Sequence, residues 1–390
     1  MKIVLVDNSI EGHRITYLKC IALSMLSVGH SVHIICPYAK ELYSELENKI
    51  VFHEYPVIPD KKYFITRFNW SLNVLNRWVN LSTVIKNSIV DAELVFFTFV
   101  DYYRFSLSPM IHSRLKFFVN RIDLILPFLL DRVFPYKWAG LSLQPQYRID
   151  SIFTAKNCLA ICILNERFRF DYKVLDNKIL LFPDISDLRI RQEKSVFAKS
   201  ILKKANGRKI IGLIGALSKR KSIIQLLDVA QLMQSEPYFF FFAGEKHFYS
   251  FTEFENDRLE TLEKRGLDNC YFHFERIEDG YSFNELIVLS DIVFASYLQF
   301  RDSSNLLTKI AYFRKPIIVS ASNLMCERVR EYNMGVCINE GKISEIEFAL
   351  KNFNSVFDKG LAKFDDYFNR HSSKALMIII EKIIQRVNNS

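Results

Sequence analysis

Glycine is scarce in this chain: 12 of 390 residues, about 3% against a usual level of roughly 7%. So few glycines leave no room for glycine-rich phosphate loops, collagen-like repeats or flexible linkers, and no G-x-G-x-x-G occurs, which disfavours a dinucleotide site of the usual kind. Paired cysteines are missing too. The seven cysteines (Cys20, Cys36, Cys158, Cys162, Cys270, Cys326 and Cys337) form no C-x-x-C. Their odd number and scattered apolar settings suit reduced core residues, with no metal site implied. Long apolar runs are absent: Leu124 to Leu130 falls far below the roughly 18 residues that cross a bilayer. The opening MKIVLVDNSIEGHR reaches Asp7 after one short apolar run, so it reads as a buried first strand and not as a cleaved signal.

What is present is a large apolar content, 49%, with 24% charged residues and 34 phenylalanines. This composition builds a core and excludes a disordered chain. At roughly 150 residues per domain, the length predicts two domains.

The net charge of +9 is concentrated. Residues 189 to 221 hold eleven Lys or Arg and one acid, Glu193, so the remainder of the chain sums to about −1. Such a stretch suits a phosphate-bearing partner: a nucleotide diphosphate, an anionic membrane or a nucleic acid. For 189 to 209, a solvated helix face plus a linker explains the charge equally well. No RNA- or DNA-binding module is recognisable, so nucleic acid is not expected.

Hydrophobic periodicity predicts a strand in MKIVLVDN, a helix from Ile15 to Val28 closed by Gly29, and a strand in SVHIICP. This strand-helix-strand unit opens a parallel sheet wound by helices. Gly12 and His13 follow its first strand, at the edge where open α/β sheets bind ligands. Gly12 is a candidate acceptor contact. His13 is either a catalytic or ligand group or a residue that caps the helix. AELVFFTFVDYYR predicts a strand running to Asp101, an acceptor-binding residue or base on one reading and a strand-end cap on another. Arg114 to Trp138 mixes cations with Phe, Leu, Ile and Trp. Docking on a membrane surface and packing against the other domain account equally for that pattern.

CLAICILNE predicts a strand, LLFPDISD ends the first half, and a basic connecting segment runs from about 186 to 208, stopped by Asn206-Gly207. The alternation then restarts as KIIGLIGAL, a helix from Ile223 to Met233, YFFFFAGE, a helix from Phe254 to Arg265, CYFHFE, a helix from Phe283 to Ser290, DIVFASY, a helix from Ser304 to Phe313, and KPIIVS. The expectation is α/β: two doubly wound Rossmann-like domains facing a cleft. Residues 1–185 form the first domain and 186–370 the second, and 371–390 hold an amphipathic helix.

From Lys209 to Cys337 the sequence resembles the GT-B glycosyltransferases, in particular their family 4-like branch. IIGLIGALSKRKSIIQLLDVA looks like that family's first donor-domain strand, its loop with a phosphate-binding lysine, and the following helix. Lys221 falls on the lysine, with Gly215, Ser218 and Arg220 as neighbouring donor contacts, while Ala216 replaces a common arginine and Ser222 the next glycine. The resemblance implies that Asp291 is structural. DSSNLLTKIAYFRKPIIVS is similar to the family's nucleotide-sugar loop and helix, and the two glutamates of E-x7-E are replaced by Arg301 and Lys309. A lysine donates hydrogen bonds to ribose hydroxyls but accepts none. Ser303, Ser304 and Asn305 offer hydroxyls and amides to a phosphate or sugar, or else cap a helix. The N-terminal half resembles the family in pattern only, and the 371–390 helix takes the place of the helix that crosses back to the first domain.

The resemblance implies a transferase that uses a UDP- or GDP-linked sugar as donor substrate, holds no bound cofactor or metal, and acts on a polysaccharide or lipid-linked acceptor. It would work in the cytoplasm or at the cytoplasmic face of the inner membrane, with retention of configuration favoured. Two other readings stand beside it: a non-catalytic sugar-nucleotide or glycan-binding subunit, and a sugar-nucleotide epimerase, for which no matching carboxylate pair is found.

Overall fold

The structure, a computed structural model, describes residues 1–9, 14–37, 46, 49–55, 69–105, 116–143, 150–168 and 175–390. The chain divides into two compact units. The first comprises Met1–Pro183 with Ser372–Ser390, and the second Asp184–His371.

The first unit is built on seven parallel strands: β1 (Lys2–Val6), β2 (Ser31–Cys36), β3 (Val51–Glu54), β4 (Leu94–Phe97), β5 (Trp138–Ser142), β6 (Cys158–Ile163) and β7 (Ile179–Leu181). Their order is β3-β2-β1-β4-β5-β6-β7. β4 and β5 are buried along their whole length, as strands covered on both faces must be. Against one face lies the helix Asn69–Ser88, whose Trp78 packs edge-on to Phe97 at 5.1 Å and Phe134 at 4.9 Å. Its indole N–H donates to the Tyr103 carbonyl at 2.9 Å. The C-terminal helix Ser373–Asn388 buries Leu376, Ile380, Ile383 and Val387, a stripe at helical spacing. Arg386 of that helix donates to the Leu159 carbonyl at 2.8 Å and fixes it beside β6.

Two sequence expectations need correction. The predicted strand through Asp101 stops at Phe97, because the chain then tightens into a 3₁₀ turn, Val100–Tyr103, that carries Tyr103 into the Trp78 cluster. The segment expected to be a connector contains the helix Val196–Ala205, which buries Ala198, Ile201 and Ala205. Lys199, Lys203 and Lys204 point outward, so much of the basic surplus is a solvated helix face. Ser195 caps the start of this helix and Asn206, in the left-handed region at φ 48°, ends it.

The second unit has six parallel strands: β8 (Lys209–Ile214), β9 (Tyr238–Ala243), β10 (Cys270–His273), β11 (Ile292–Ala295), β12 (Ile317–Ser320) and β13 (Gly335–Ile338). The order β10-β9-β8-β11-β12-β13 reproduces that of the first sheet over six strands. Asp291 accepts a hydrogen bond from the Ile210 N–H at 2.8 Å and fixes the start of β8. Among the described residues no helix is long and apolar enough to cross a membrane.

Candidate functional site

In both sheets the strand order reverses at one point, between β1 and β4 and again between β8 and β11. Loops leaving adjacent strands there run in opposite directions, which opens a crevice at the carboxyl ends where ligands of doubly wound sheets bind.

In the second unit, the loop after β8 starts at Gly215, with φ +92°. A side chain on Gly244, at the end of β9, would place its Cβ 2.1 Å from the Gly215 carbonyl oxygen, so the two backbones touch only because residue 244 is glycine. The chain then makes a 3₁₀ turn, Lys219–Lys221, closed by the Lys221 N–H donating to the Ser218 carbonyl at 2.9 Å, and enters the helix Ile223–Leu232. The Lys219 N–H donates to Ser250 Oγ at 3.1 Å and the Leu298 N–H to the Arg220 carbonyl at 2.7 Å. The loops after β9 and β11 thus hold the turn from both sides.

The three cations of the turn have different fates. Lys219 reaches Glu255 at 2.7 Å. The Arg220 guanidinium lies 5.0 Å from the centre of the Phe300 ring. Lys221 folds back beneath the turn, donates to the Ile214 carbonyl at 2.8 Å and lies 5.4 Å from the Tyr297 ring centre. Among the described residues no carboxylate pairs with it. Burial, with the neighbouring Arg220 charge adding to it, pulls its pKa down to about 7. Gly215, Ser218, Arg220 and Lys221 therefore share one site, and the Lys221 ammonium there has no counter-ion.

Ser222 follows at φ 54° and ψ 33°, a left-handed conformation that favours glycine. Its hydroxyl is buried and finds no partner among the described residues.

The candidate residues after β11 behave differently. Lys309 requires correction as a donor contact, because its three N–H groups are all engaged inside the unit: the Asp187 carbonyl at 2.5 Å, Asn284 Oδ1 at 2.7 Å and the Asp279 carboxylate at 2.9 Å. It is fully buried and ties the chain at Asp187 to the loop before the helix Tyr281–Leu289. Ser303 is likewise engaged, donating to Asp184 Oδ2 at 2.7 Å and accepting from Arg328 at 2.5 Å. Ser304 accepts from the Leu306 N–H at 3.3 Å, ahead of the short helix Leu306–Tyr312, whose N-cap residue is Asn305. Asn305 is buried, and its carbonyl accepts from Ser186 Oγ at 3.2 Å.

The Asp184 cluster was not anticipated from sequence. The Asp184 N–H donates to His371 Nδ1 at 2.8 Å, which fixes that ring as a neutral acceptor; burial and the charges of Arg328 and Arg370 hold its pKa well below the ordinary value.

At the switch point of the first unit, Gly12 and His13 lie outside the described residues. Asp101 requires correction as a base. Its Oδ1 accepts from Ser142 Oγ at 2.8 Å and Arg104 at 3.2 Å, and its Oδ2 from the Leu143 N–H at 2.7 Å. It fixes the chain that leaves β5. Asp7, which the sequence reading passed over, is buried at the end of β1 and accepts from Thr98, Arg14 at 3.0 Å and the Ser9 N–H at 3.0 Å. Burial raises its pKa and Arg14 opposes that rise.

No protein-family profile matches the chain, and no curated protein matches it in sequence. Solved structures do match along its full length. A glycosyltransferase from Rickettsia africae ESF-5 superimposes with a TM-score of 0.70 at 14% identity, covering 100% of this chain and 99% of that one. Anabaena Alr3699/HepE in complex with UDP and glucose gives 0.64 at 10% identity, covering 99% of each chain. The sucrose-phosphate synthase of Thermosynechococcus elongatus gives 0.65 at 11% identity, covering 100% and 99%. At these identities the likeness concerns the fold, and the fold is GT-B, with two Rossmann-like α/β domains.

Proposed function

We propose that the chain is a glycosyltransferase that takes a sugar from a nucleotide donor, with the second unit holding the donor and the first the acceptor. The observation that carries this reading is Lys221, a half-buried ammonium without a counter-ion among the described residues, beside the Gly215 backbone and the N-terminus of the helix Ile223–Leu232. A diphosphate supplies the missing charge. UDP is favoured as the nucleotide, since the Anabaena neighbour is described in complexes with UDP and UDP-glucose.

In the reaction, the bond between the sugar's anomeric carbon and the diphosphate oxygen breaks, the diphosphate keeps the electron pair, and an acceptor hydroxyl joins the carbon while its proton passes to the departing phosphate. Lys221, Arg220 and the helix N-terminus stabilise the charge that collects on the departing phosphate. The family resemblance favours retention of configuration.

The acceptor we propose is a polysaccharide or lipid-linked oligosaccharide of cell-surface glycan synthesis, with Gly12 and His13 on the acceptor side. The helix Lys116–Val133 supports work at the cytoplasmic face of a membrane, since it exposes Ile125, Phe128 and Leu129 with Arg132 on one stripe.

Calorimetric titration with UDP, GDP and their sugar conjugates, repeated with Lys221→Ala, tests the donor assignment. One nucleotide should bind, and its affinity should fall at least about a hundredfold in the variant, the loss expected when a charge-assisted contact to phosphate disappears. Absence of binding to the unaltered protein at millimolar concentration overturns the reading. The internal engagement of Lys309 favours one alternative, a donor-binding subunit without turnover, which would bind the nucleotide sugar yet neither transfer nor hydrolyse the sugar.

A further inference from the structure

Residues 190 to 204 carry positive charge that the fold does not answer. Arg191, Lys194, Lys199 and Lys203 are exposed, and among the described residues no carboxylate lies within ion-pairing distance of any of them. The ends of the segment differ. Arg189 pairs with Asp187 at 2.5 Å, and Arg208 with Asp268 at 3.2 Å. Between them the sequence holds one acid, Glu193.

The chain is anchored here, so its exposure is not fraying. Asn284 donates to the Asp187 and Arg189 carbonyls at 2.9 Å and 2.8 Å, and Glu285 accepts from the Ser195 N–H at 2.7 Å. Residues 190–194 are all exposed between those two ties. The helix Val196–Ala205 then buries Ala198, Ile201 and Ala205. Val196, Lys199 and Lys203, spaced three and four residues apart, therefore share the opposite face. Aliphatic side chains stand among the cations: Val196 is 82% exposed, Ile190 48% and Leu202 38%. Leaving that carbon in water is unfavourable.

Two properties of the segment select its partner. Charge complementarity requires a polyanion. The apolar component decides which one. Single nucleic-acid strands stack their bases on aromatic rings, but the aromatic residue of this helix, Phe197, lies against His273 at 4.5 Å and Tyr271 at 5.5 Å. The exposed apolar side chains are aliphatic, the kind that enters a headgroup layer while neighbouring lysines meet lipid phosphates. We propose that residues 190–204 form a docking surface for an anionic phospholipid membrane. This surface belongs to the second unit and depends neither on the donor site nor on the helix Lys116–Val133, so the three stand or fall on separate measurements.

The test is co-sedimentation of the full chain with vesicles of phosphatidylcholine alone and of equal parts phosphatidylcholine and phosphatidylglycerol. The protein should bind the anionic vesicles only and should dissociate as salt is raised, because ions screen the attraction. Each cation near such a surface strengthens attachment about fivefold, so Lys194→Gln, Lys199→Gln and Lys203→Gln combined should weaken it on the order of a hundredfold. Val196→Ser should weaken it about fivefold and leave the salt dependence unchanged. Phe128→Ser, on the helix Lys116–Val133, is the reference variant. Vesicle binding that is lost in Phe128→Ser but unchanged in the triple variant overturns the proposal and leaves the membrane reading of that helix standing. No binding of the unaltered protein to either vesicle overturns both membrane readings, while nucleotide titration still decides the donor site. Binding of a mixed-sequence oligonucleotide that falls in the triple variant, without any vesicle binding, assigns the face to nucleic acid and overturns the lipid assignment. The substituted side chains are exposed, so an unchanged melting temperature and UDP affinity in the triple variant show that its loss of vesicle binding is local.

Discussion

At the switch point of the first sheet two acids are satisfied: Asp7 has Thr98, Arg14 and a backbone amide, and Asp101 has Ser142, Arg104 and another amide. At the switch point of the second sheet, in the same strand order, Lys221 has a carbonyl and a ring but no anion, and the Ser222 hydroxyl has no partner, among the described residues. Two sheets of one topology therefore distribute charge in opposite ways. Completed networks hold backbone in place, while groups left incomplete at a crevice lower stability and wait for a ligand to complete them. Fold alone does not distinguish the two edges. Partner accounting does.

The comparison predicts opposite responses to mutation, and the largest effect belongs to the completed side. Asp101→Ala leaves the Leu143 amide, the Ser142 hydroxyl and the nearly buried Arg104 short of an acceptor. Stability should fall by about 2 to 4 kcal/mol, the penalty for leaving a buried hydroxyl and a backbone amide without an acceptor. Urea unfolding measures it. A change below about 0.5 kcal/mol would return Asp101 to the list of candidate bases and break the comparison.

On the incomplete side Lys221→Met should gain stability, by about 1 to 3 kcal/mol at neutral pH, since it replaces a desolvated, half-buried charge that has no anion among the described residues with a thioether of similar reach. The pH dependence sharpens this. Lys221 titrates at about 7 in the folded chain against an ordinary 10.5, so between those values the unfolded chain holds more protons and the wild-type fold becomes more stable as pH rises. The advantage of Lys221→Met should be full at pH 7 and below and shrink toward pH 10. Melting curves of both proteins at pH 6, 8 and 10 provide the check, and a variant that melts lower at every pH would show that Lys221 is structural.

The same accounting explains what the sequence could convey. In the second unit the alternation from β8 to β12 was legible, because strands such as Tyr238–Ala243 are buried on both faces and so read as unbroken apolar runs between turn residues, while the helices from Asn323 to Arg370 were not read. In the first unit the edge strand Val51–Glu54 is only half-buried and shows no such run, and β5 is hidden in the amphipathic stretch that precedes it. Lys221 was legible because it follows a strand and precedes a helix, which is local information. The engagement of Lys309 was not, because its acceptors come from Asp187, Asp279 and Asn284 on separate segments of chain. The choice between the two readings of Asp101 was hidden for the same reason: Ser142 and Leu143, which donate to it, reach it only once the sheet has formed. Sequence shows where a charged side chain is placed, while tertiary structure decides whether it remains available.

The smallest predicted effect concerns Ser222, where backbone and side chain pull in one direction. Its φ of 54° lies in the left-handed region, and its hydroxyl is buried without a partner among the described residues. Ser222→Gly relieves both the conformational strain and the desolvated hydroxyl, against the greater freedom glycine has when unfolded. The balance should be a gain of about 1 kcal/mol, read from urea unfolding, with UDP affinity unchanged. A loss of stability would mean that the hydroxyl has an acceptor in solution. If stability rises but UDP binding weakens, the hydroxyl belongs with Lys221 among the groups that the ligand completes, and the contrast between the two edges then extends to neutral groups as well as charged ones.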